Sequence, residues 1–474
     1  MLADAISEYH DLLTDDVGGE TQRQLDEQLR HRGLFFGDRP LCTVLRPRFL
    51  SPVQYRHLQK RAALVLGAFG AAFRAAMDDD RVLEQFRLTE WERELVRDDP
   101  GFPEPSPVSR LDAFFVSESG GLRFTEYNAE TPAGGAYNDV LTELFYGLPP
   151  MRRFLRRYDL RPLPARHHVI AALLDAYFAW ARTRGRDAAR LPRVAIFDWA
   201  EVPTRSEFLI FQEYFQRQGL ECVIADPRVA EYANGRLVAD GAPVDLVYKR
   251  VLLAELVERC GMDGALMRAV RAGAVCMVNP PRCKVLHKKA SLAVLSDERN
   301  AHLYTDEERE AIAANVPWTR VVEERKTEVF EVAGDRWQVA GDRGSSHPTP
   351  VTSDLVEFVA SHKDHLVLKP NDEYGGKGIV LGWEVDQSAW DEALRTALAE
   401  PYIVQQRIPL PTEHYPSFVD GRVVLAERMV DTAPYVAHGA HVDGCLSRLG
   451  GTKGLLNVTA GSGSQTPTFV VERR

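Results

Sequence analysis

The segment Leu366-Val-Leu-Lys-Pro-Asn-Asp-Glu-Tyr-Gly-Gly-Lys-Gly-Ile-Val-Leu-Gly382 sets three glycines and two lysines between two short apolar runs. The run before Pro370 and the run that begins at Ile379 predict two strands joined by a loop. Glycines let backbone amides approach an anion closely, and Lys369 and Lys377 add positive charge at both ends of the loop. The pattern therefore predicts a strand, a phosphate-binding loop and a second strand.

This loop differs from the common nucleotide-binding motifs. It has neither the P-loop spacing nor a dinucleotide-binding fingerprint, because no helical pattern follows the glycines directly. We therefore expect a hairpin, with Gly375 and Gly376 at its tip, to cover bound phosphates. A purely structural hairpin with a flexible tip is the alternative.

Lysine is scarce in the chain, at ten residues against 48 arginines. Five of the ten fall in two groups, namely Lys284, Lys288 and Lys289, then Lys369 and Lys377. An ammonium is a compact charge on a flexible stem and suits a phosphate inside a cleft, whereas guanidinium prefers planar partners. The grouping favours a function for these lysines, although an arginine-rich composition could also leave a few lysines together by chance.

Composition limits the class of protein. With 474 residues, 45% of them hydrophobic, the chain is long enough for roughly three domains of about 150 residues each. A formal net charge of -10 argues against nucleic acid or an anionic membrane as a partner, and favours small charged metabolites. The six cysteines lack the short paired spacings of a zinc site or a disulfide scaffold. Since we find no charged-then-apolar leader and no membrane-spanning apolar run, we expect a cytoplasmic protein.

Two predicted strands carry the candidate metal ligands. Arg110 and Asp112 lie two residues apart on the first strand, and Glu126 and Asn128 lie two apart on the second. Side chains at i and i+2 share a face of a strand, so these four groups can project into one volume. Magnesium prefers such hard oxygen ligands, and it normally accompanies a triphosphate. The alternative is the solvated face of a surface hairpin.

Alternating elements follow in the middle of the chain. Apolar runs at residues 194–197, 222–225, 246–248 and 275–278 predict strands, with helical patterns at 206–218 and 266–272 between the first two and the last two, which favours a parallel sheet with ligands at the strand ends. Thr204-Arg-Ser-Glu207 has the spacing of a capping box at a helix start. Residues 450–467 are rich in glycine and serine and predict a loop, in which 461–463 are weak candidates for contacting substrate or phosphate.

These motifs together resemble one family. Arg110-Leu-Asp112 followed by Glu126-Tyr-Asn-Ala-Glu-Thr-Pro132 is similar to the metal-binding hairpin of glutathionylspermidine synthetase-like, circularly permuted ATP-grasp proteins. In that family the metal strand precedes the nucleotide-binding lysines. The resemblance continues through Val247-Tyr-Lys-Arg250, Asn279-Pro-Pro281, Lys288-Lys289, the loop from Lys369 to Gly378, and Tyr402-Ile-Val-Gln405.

The resemblance implies a fold. The implied fold is α/β with α+β segments, and it has a circularly permuted, glutathione synthetase-like ATP-grasp core. We expect a helical region at 1–105, the metal hairpin and a helix at 106–165, a Rossmann-like pre-ATP-grasp domain at 166–285, and the ATP-grasp subdomains with the lysine–glycine loop at 286–474.

The resemblance also implies roles for individual residues. Asp112, Glu126 and Asn128 match the magnesium ligands, and Arg110 matches the arginine that steadies the transferred phosphate. Lys369 matches a nucleotide-phosphate lysine, and either Lys288 or Lys289 supplies a second. Gln405 and its neighbouring backbone fit the adenine side, with Val404 and Ile403 as apolar walls. Arg448 is a weaker candidate for a substrate contact, and Asn371 and Glu373 for orienting the loop.

The implied activity is a ligation that uses ATP and Mg²⁺. Such proteins form an acyl phosphate from a carboxylate and then let an amine displace phosphate, so the expected partners are a small carboxylic acid and an amine. The alternatives are an ATP-binding protein without turnover, or an ATP-dependent phosphotransferase. The sequence leaves the two substrates and the oligomeric state open.

Overall fold

The computed structural model describes residues 1–36, 38–116, 120–329, 332–333, 336–337, 351–451 and 463–474. The α-helices of this part of the chain are Leu2–Asp11, Asp15–His31, Pro52–Asp78, Asp80–Glu84, Glu90–Arg97, Gly135–Gly147, Pro149–Phe154, Arg166–Thr183, Arg205–Arg217, Leu253–Cys260, Ala265–Arg271, Cys283–His287, Ala290–Ser296, Asp306–Asn315, Leu355–Ser361 and Gln387–Ala399. Short 3₁₀ turns lie at Pro227–Val229, Glu298–Leu303, Lys363–His365 and Gly382–Glu384. Within the described residues, every helix is too short or too polar to cross a membrane.

The longest helix, Pro52–Asp78, supports the sheet that carries the candidate metal ligands. It begins at a full capping box, in which Ser51 and Gln54 satisfy each other's backbone amides, and proline occupies its first turn. Its apolar stripe packs against the two strands that carry the candidate metal ligands, Val108–Val116 and Gly121–Asn128, which we call the metal hairpin. The rings of Phe69 and Tyr127 lie 4.7 Å apart at this contact. The helix therefore fixes the rear of the hairpin.

A large, mostly antiparallel sheet joins distant parts of the chain. Its described strands run in the order Thr412–Val419, Arg422–Val430, His441–Gly450, Ala433–Ala437, Val108–Val116 and Gly121–Asn128. Ser464–Arg473 pairs with the third of these strands, and also with Arg48–Leu50 and Tyr158–Pro162. The metal hairpin thus lies beside residues that follow it by about three hundred positions in sequence.

The predicted parallel sheet is present. Its strands run in the order Cys276–Val278, Leu246–Lys249, Val194–Phe197 and Cys222–Ala225, and all neighbouring pairs are parallel. Helices such as Arg166–Thr183 and Arg205–Arg217 cover it. A three-stranded meander of Glu231–Ala233, Arg236–Ala239 and Ala242–Val244 follows strand Cys222–Ala225 along the chain.

A small antiparallel sheet carries the lysine–glycine loop. Its order is Thr319–Val321, Tyr402–Gln406, Leu366–Pro370 and Val380–Leu381, which confirms the predicted strand, loop and strand around the glycines. Helices Leu355–Ser361 and Gln387–Ala399 cover its apolar face, where Trp390 is fully buried. The remaining described strands form three short two-stranded sheets, which are Phe35–Phe36 with Arg39–Pro40, Lys326–Val329 with Val351–Asp354, and Val332–Ala333 with Arg336–Trp337.

Two local predictions are wrong. Thr204 makes no side-chain capping bond, because the carboxylate of Glu207 turns inward and accepts from the amides of Gly134 and Ala136. The stretch expected to be a loop to residue 467 instead forms a strand from Ser464, whose residues up to 471 are buried. Residues 461–462 lie outside the described part of the chain.

Candidate active site

The metal hairpin brings its four polar side chains together as two cross-strand pairs. Arg110 lies opposite Asn128, and Asp112 lies opposite Glu126. Arg110 grips Asp112 with two hydrogen bonds of 2.7 and 3.0 Å, and the Asn128 amide donates to the same carboxylate at 2.9 Å. Since cross-strand neighbours share one face, the i, i+2 pattern of the sequence has become a polar patch.

Arg448, on strand His441–Gly450, and Asp431, directly after strand Arg422–Val430, complete this patch. Arg448 donates to Asp112 Oδ2 at 2.7 Å and to Asp431 Oδ2 at 2.5 Å, and its backbone amide donates to Asp431 Oδ1 at 2.6 Å. Asp431 was missed in the sequence, where a lone aspartate after an apolar strand gives no distinctive signal. Arg448, a weaker candidate, joins the two carboxylates.

The charges of the patch determine which carboxylates stay ionised. Burial would raise the pKa of Asp112, but Arg110 and Arg448 outweigh it and hold the pKa at about 2. For Glu126 burial is likewise outweighed, mainly by Lys289, so its pKa is lowered. Burial prevails at Asp431 and raises its pKa despite Arg448. Asp112 and Glu126 are therefore anionic at neutral pH.

The neighbouring lysines Lys288 and Lys289 point to different places. Lys289 Nζ lies 2.9 Å from Glu126 Oε1 and donates to the carbonyl of Glu373 at 2.7 Å. Lys288 Nζ instead contacts Glu92 at 2.7 Å and Asp372 at 2.8 Å. Lys289 therefore faces the candidate metal ligands and Lys288 does not, and which of the two contacts a nucleotide stays a prediction.

Lys369 has a neutral neighbour. Its ammonium donates to Gln405 Oε1 at 2.7 Å, and the Gln405 amide donates to Thr319 Oγ1 at 3.0 Å. Burial lowers the pKa of Lys369 to about 8. The carboxylate of Glu126 acts to raise this pKa, but the like charge of Lys289 opposes that effect. A bound anion would raise the pKa of this lysine back toward its ordinary value.

A cavity of about 500 Å³ lies between the hairpin and the small sheet. Its charged and polar lining comes from both sheets and comprises Asp112, Thr125, Glu126, Lys369, Glu384, Gln405, Gln406, Arg407, Asp431 and Arg448. Its apolar lining includes Val367, Ile379, Leu381, Trp383, Ile408, Leu410 and Met429, and the loop contributes Gly375 and Gly376. We call Arg110, Asp112, Glu126, Lys289, Lys369, Asp431 and Arg448 the cavity cluster.

Three predicted nucleotide contacts have other surroundings. Val404 is fully buried with Leu366 and Leu368 on the far face of the small sheet, so its expectation as a cavity wall is wrong. Ile403 is also fully buried, in a separate apolar group. Lys377 is largely exposed, with 77% of its side chain accessible, and lies 3.4 Å from Glu373.

A second group of charges lies in the interior and anchors the loop. We call its members, Glu92, Glu130, Lys249, Lys284, Lys288 and Asp372, the buried cluster. Lys284 contacts Asp372 at 2.6 Å and Glu130 at 3.2 Å, and Lys249 contacts Glu130 at 3.0 Å. Three lysines thus balance three carboxylates. Burial opposes the charge of Asp372, yet Lys284 and Lys288 lower its pKa to about 2.

The remaining motif residues tie the hairpin to its neighbours. Asn279, after the last parallel strand, donates to the carbonyls of Val108, Ala129 and Glu130. Asn371 receives the amide of Ala290 and donates to the carbonyl of Phe86, so it ties the start of the loop to the lysine segment. These contacts fix the elements that carry the two clusters.

The oxygen donors of the cavity suit a divalent cation of the magnesium type. Asp112, Glu126 and Asp431 line the cavity with carboxylates, which are hard ligands, and Asn128, whose side-chain amide donates to Asp112, adds an amide oxygen beside them. The pKa of Asp112 and of Glu126 is lowered, so both are ready to bind without losing a proton. In this structure Arg448 balances the negative charge of Asp112, and Lys289 balances that of Glu126.

The chain is similar in sequence to a protein of known name. No protein-family profile matches the chain. A protein of Frankia alni named as a glutamate–cysteine ligase 2-3 is 25% identical over 498 aligned residues, covering 98% of this chain. The chain spans about half (51%) of the length of that relative.

Solved structures give a second line of comparison. A glutathione synthetase-like effector of Globodera pallida, solved in its apo form, matches over 97% of this chain and 98% of its own, with a TM-score of 0.56 and 12% identity. A γ-glutamylcysteine synthetase of Methylobacillus flagellatus KT matches over 86% of each chain with a TM-score of 0.40 and 11% identity. The first match shows that the chain has a mixed α/β fold like that of glutathione synthetase-like proteins.

Proposed function

We propose that this protein is a Mg²⁺- and ATP-dependent carboxylate–amine ligase with a circularly permuted ATP-grasp core, acting through an acyl phosphate. The observation that carries the proposal is the divided lining of the 500 Å³ cavity, in which Val367, Ile379, Leu381 and Trp383 are apolar while Asp112, Glu126, Lys369, Asp431 and Arg448 are charged. A nucleotide has the same division between its base and its phosphates.

The nucleotide orientation follows from this lining. The adenine would lie against Val367, Ile379 and Leu381, while Gly375 and Gly376 cover the phosphates. Lys369 and Lys289 then act from two elements as cationic contacts for the phosphate chain. The side chain of Gln405, which already accepts from Lys369, sets the position of that lysine and does not need to touch the base.

Asp112, Glu126 and Asn128 would hold the magnesium, with Asp431 nearby. When bound, the ion neutralises phosphate oxygens and aligns the terminal phosphoryl group. Lys289 and Arg448, which now pair with these carboxylates, would be released toward the phosphates as the ion takes over the carboxylate charge. Arg110 stays paired with Asp112 and so fixes its rotamer.

The reaction has two balanced steps. A carboxylate oxygen of the acid attacks the γ-phosphorus, and ADP leaves. The amine then attacks the acyl carbon, inorganic phosphate leaves, and the amine gives up one proton. Positioning and charge neutralisation account for most of such catalysis, in keeping with a site built from cations and carboxylates rather than around a nucleophile.

The comparisons support the substrate class. The Frankia relative is named for joining glutamate to cysteine, and the Globodera protein for likeness to glutathione synthetase. We therefore propose an amino acid or a short peptide as at least one substrate. The order of metal hairpin before lysines, which is the circularly permuted order, is the part of the proposal that rests on the glutathionylspermidine synthetase-like motifs.

The test is phosphate release that depends on two substrates. The protein would be incubated with ATP, Mg²⁺ and pooled amino acids, short peptides and polyamines, and condensed products sought by mass. We expect phosphate release only when an acid and an amine are both present. Binding of Mg-ATP without any release would instead support a binding protein, and a phosphorylated product formed without an amine would support a phosphotransferase.

A further inference from the structure

Two histidines and an aspartate from distant parts of the chain meet beside the large sheet. His168 lies in the first turn of helix Arg166–Thr183, and His441 and Asp443 lie at the start of strand His441–Gly450. One ligand atom from each, two imidazole nitrogens and a carboxylate oxygen, lie within 4.8 Å of one another. The sequence spacing gives no hint of this group, because 273 residues separate the two histidines.

The aspartate is held in one orientation. Its Oδ1 accepts from the Tyr55 hydroxyl at 2.9 Å and from the Gly444 amide at 3.0 Å. Its Oδ2 lies 3.4 Å from His168 Nε2 and so faces the histidines. Arg161 reaches only the far oxygen, at 4.0 Å, and its guanidinium lies 4.9 Å from the Tyr55 ring. Such outer contacts orient a carboxylate as they do around bound metals.

The histidines are partly free to adjust. His168 is largely buried, whereas His441 is exposed, and their ring centroids lie 5.0 Å apart. A third ring, that of His167, packs against His168 at 3.7 Å and is not a member of the group of ligand atoms. Rotation of the exposed His441 can therefore close the site without disturbing the helix.

We propose that His168, His441 and Asp443 bind a divalent transition-metal ion of the zinc class, separate from the magnesium of the proposed nucleotide site. Zinc takes imidazole nitrogen and carboxylate oxygen at about 2.0–2.2 Å, which requires the ligand atoms to approach to roughly 3.3 Å of one another. The ion would lie between His168 Nε2 and Asp443 Oδ2, which are 3.4 Å apart. Three protein ligands leave one position for water.

The consequence of binding is structural. The ion would pin the start of helix Arg166–Thr183, which packs on the parallel sheet, to a strand of the large sheet. Because no described residue of the group lines the 500 Å³ cavity, occupancy should affect stability rather than the chemistry there. The site stands or fails independently of the proposed ligase activity.

The experiment measures zinc binding to the full chain after chelator treatment and dialysis, in excess Mg²⁺ so that the carboxylates of the cavity are occupied. Calorimetry should give one Zn²⁺ per chain, and Co²⁺ should give visible absorption bands of a low-coordinate site. His441→Ala, an exposed change that spares folding, should weaken Zn²⁺ binding at least tenfold, and Asp443→Asn should do the same.

His167→Ala is the matched control and should bind zinc as the unaltered chain does. The proposal is overturned if the unaltered chain binds less than one equivalent, or if His441→Ala and His167→Ala bind zinc equally well. Either outcome would identify the group as three surface side chains that collect only an adventitious ion.

Discussion

The cavity cluster and the buried cluster flank the same loop and use the same residue types, but they are paired differently. In the buried cluster the lysines lie within 3.2 Å of carboxylates. In the cavity cluster Lys369 donates to a neutral amide, and a 500 Å³ space adjoins it. A buried lysine that is paired with carboxylates indicates a structural anchor. A lysine that donates to a neutral amide beside a cavity indicates a place for an anionic ligand.

The largest effect should come from breaking the buried cluster. Lys284→Met leaves Glu130 and Asp372 without their shared cation, and loss of one partner of a buried ion pair costs about 3–5 kcal/mol. Denaturant unfolding should show this loss in the free energy of unfolding. Lys60→Met, at an exposed lysine, should change it by less than about 0.5 kcal/mol. A small loss at Lys284 would remove the distinction between the clusters.

Breaking the cavity cluster should affect turnover instead. Glu126→Gln keeps the shape of a proposed magnesium ligand but removes its charge, so the ATP-dependent rate should fall about 10²–10³-fold, the usual cost of one preorganised electrostatic group. The unfolding midpoint should stay near that of the unaltered chain. Glu392→Gln, on the exposed side of helix Gln387–Ala399, is the matched control and should leave the rate unchanged.

The adjacent lysines offer the sharpest comparison. Lys289→Met should lower the rate about 10²-fold with little loss of stability, because its ammonium contacts Glu126, which lines the cavity. Lys288→Met should do the reverse and lower the free energy of unfolding by about 3 kcal/mol. Rate and unfolding measurements on both variants decide the point. Equal effects of the two changes would mean that one cluster, not two, surrounds the loop.

The pH dependence should separate Lys369 from the paired lysines. Its pKa is lowered to about 8 by burial, so the ammonium is present below that pH and is lost as the pH rises through it. Since the free enzyme then loses a phosphate contact, kcat/KM for ATP should fall up to tenfold per unit above about pH 8. Lys369→Arg, which stays charged, should abolish this fall even if its rate is lower throughout.

The smallest effect belongs to the exposed lysine of the loop. Lys377 is 77% accessible and lies 3.4 Å from Glu373, and exposed ion pairs contribute about 0–1 kcal/mol. Lys377→Ala should therefore leave the free energy of unfolding within about 0.5 kcal/mol of its starting value, and raise the KM for ATP by less than about fivefold. A larger rise in KM would show that the side chain turns toward bound phosphate.

The sequence was sufficient wherever local periodicity decides the structure. The strands around the glycines, the parallel strands and the shared face of Asp112 and Glu126 all follow from alternation over a few residues. The same alternation within a strand contradicts the prediction that Val404 lines the cavity. Because neighbours in a strand face opposite sides, Gln405 facing the cavity forces Val404 toward the core.

What the sequence could not supply depends on contacts between distant segments. Arg448 links Asp431 to the hairpin carboxylate Asp112, and Glu92 meets Lys288 across nearly two hundred residues. The different directions of Lys288 and Lys289 arise because the pair lies at the break between helices Cys283–His287 and Ala290–Ser296. Neither propensity nor spacing specifies the direction of a side chain at such a break.

The strand Ser464–Arg473 also constrains how the molecule can form. It lies between Arg48–Leu50 and Tyr158–Pro162, so early and late parts of the chain are adjacent in one sheet. During synthesis the early segments must wait for residues made hundreds of positions later, and pairings this remote in sequence form slowly. The same holds for the cavity, since Asp112 must await Asp431 and Arg448. We therefore expect nascent chains to depend on chaperones. The proposed nucleotide binding should begin only once the hairpin that carries Asp112 has met the late strands beside Asp431 and Arg448.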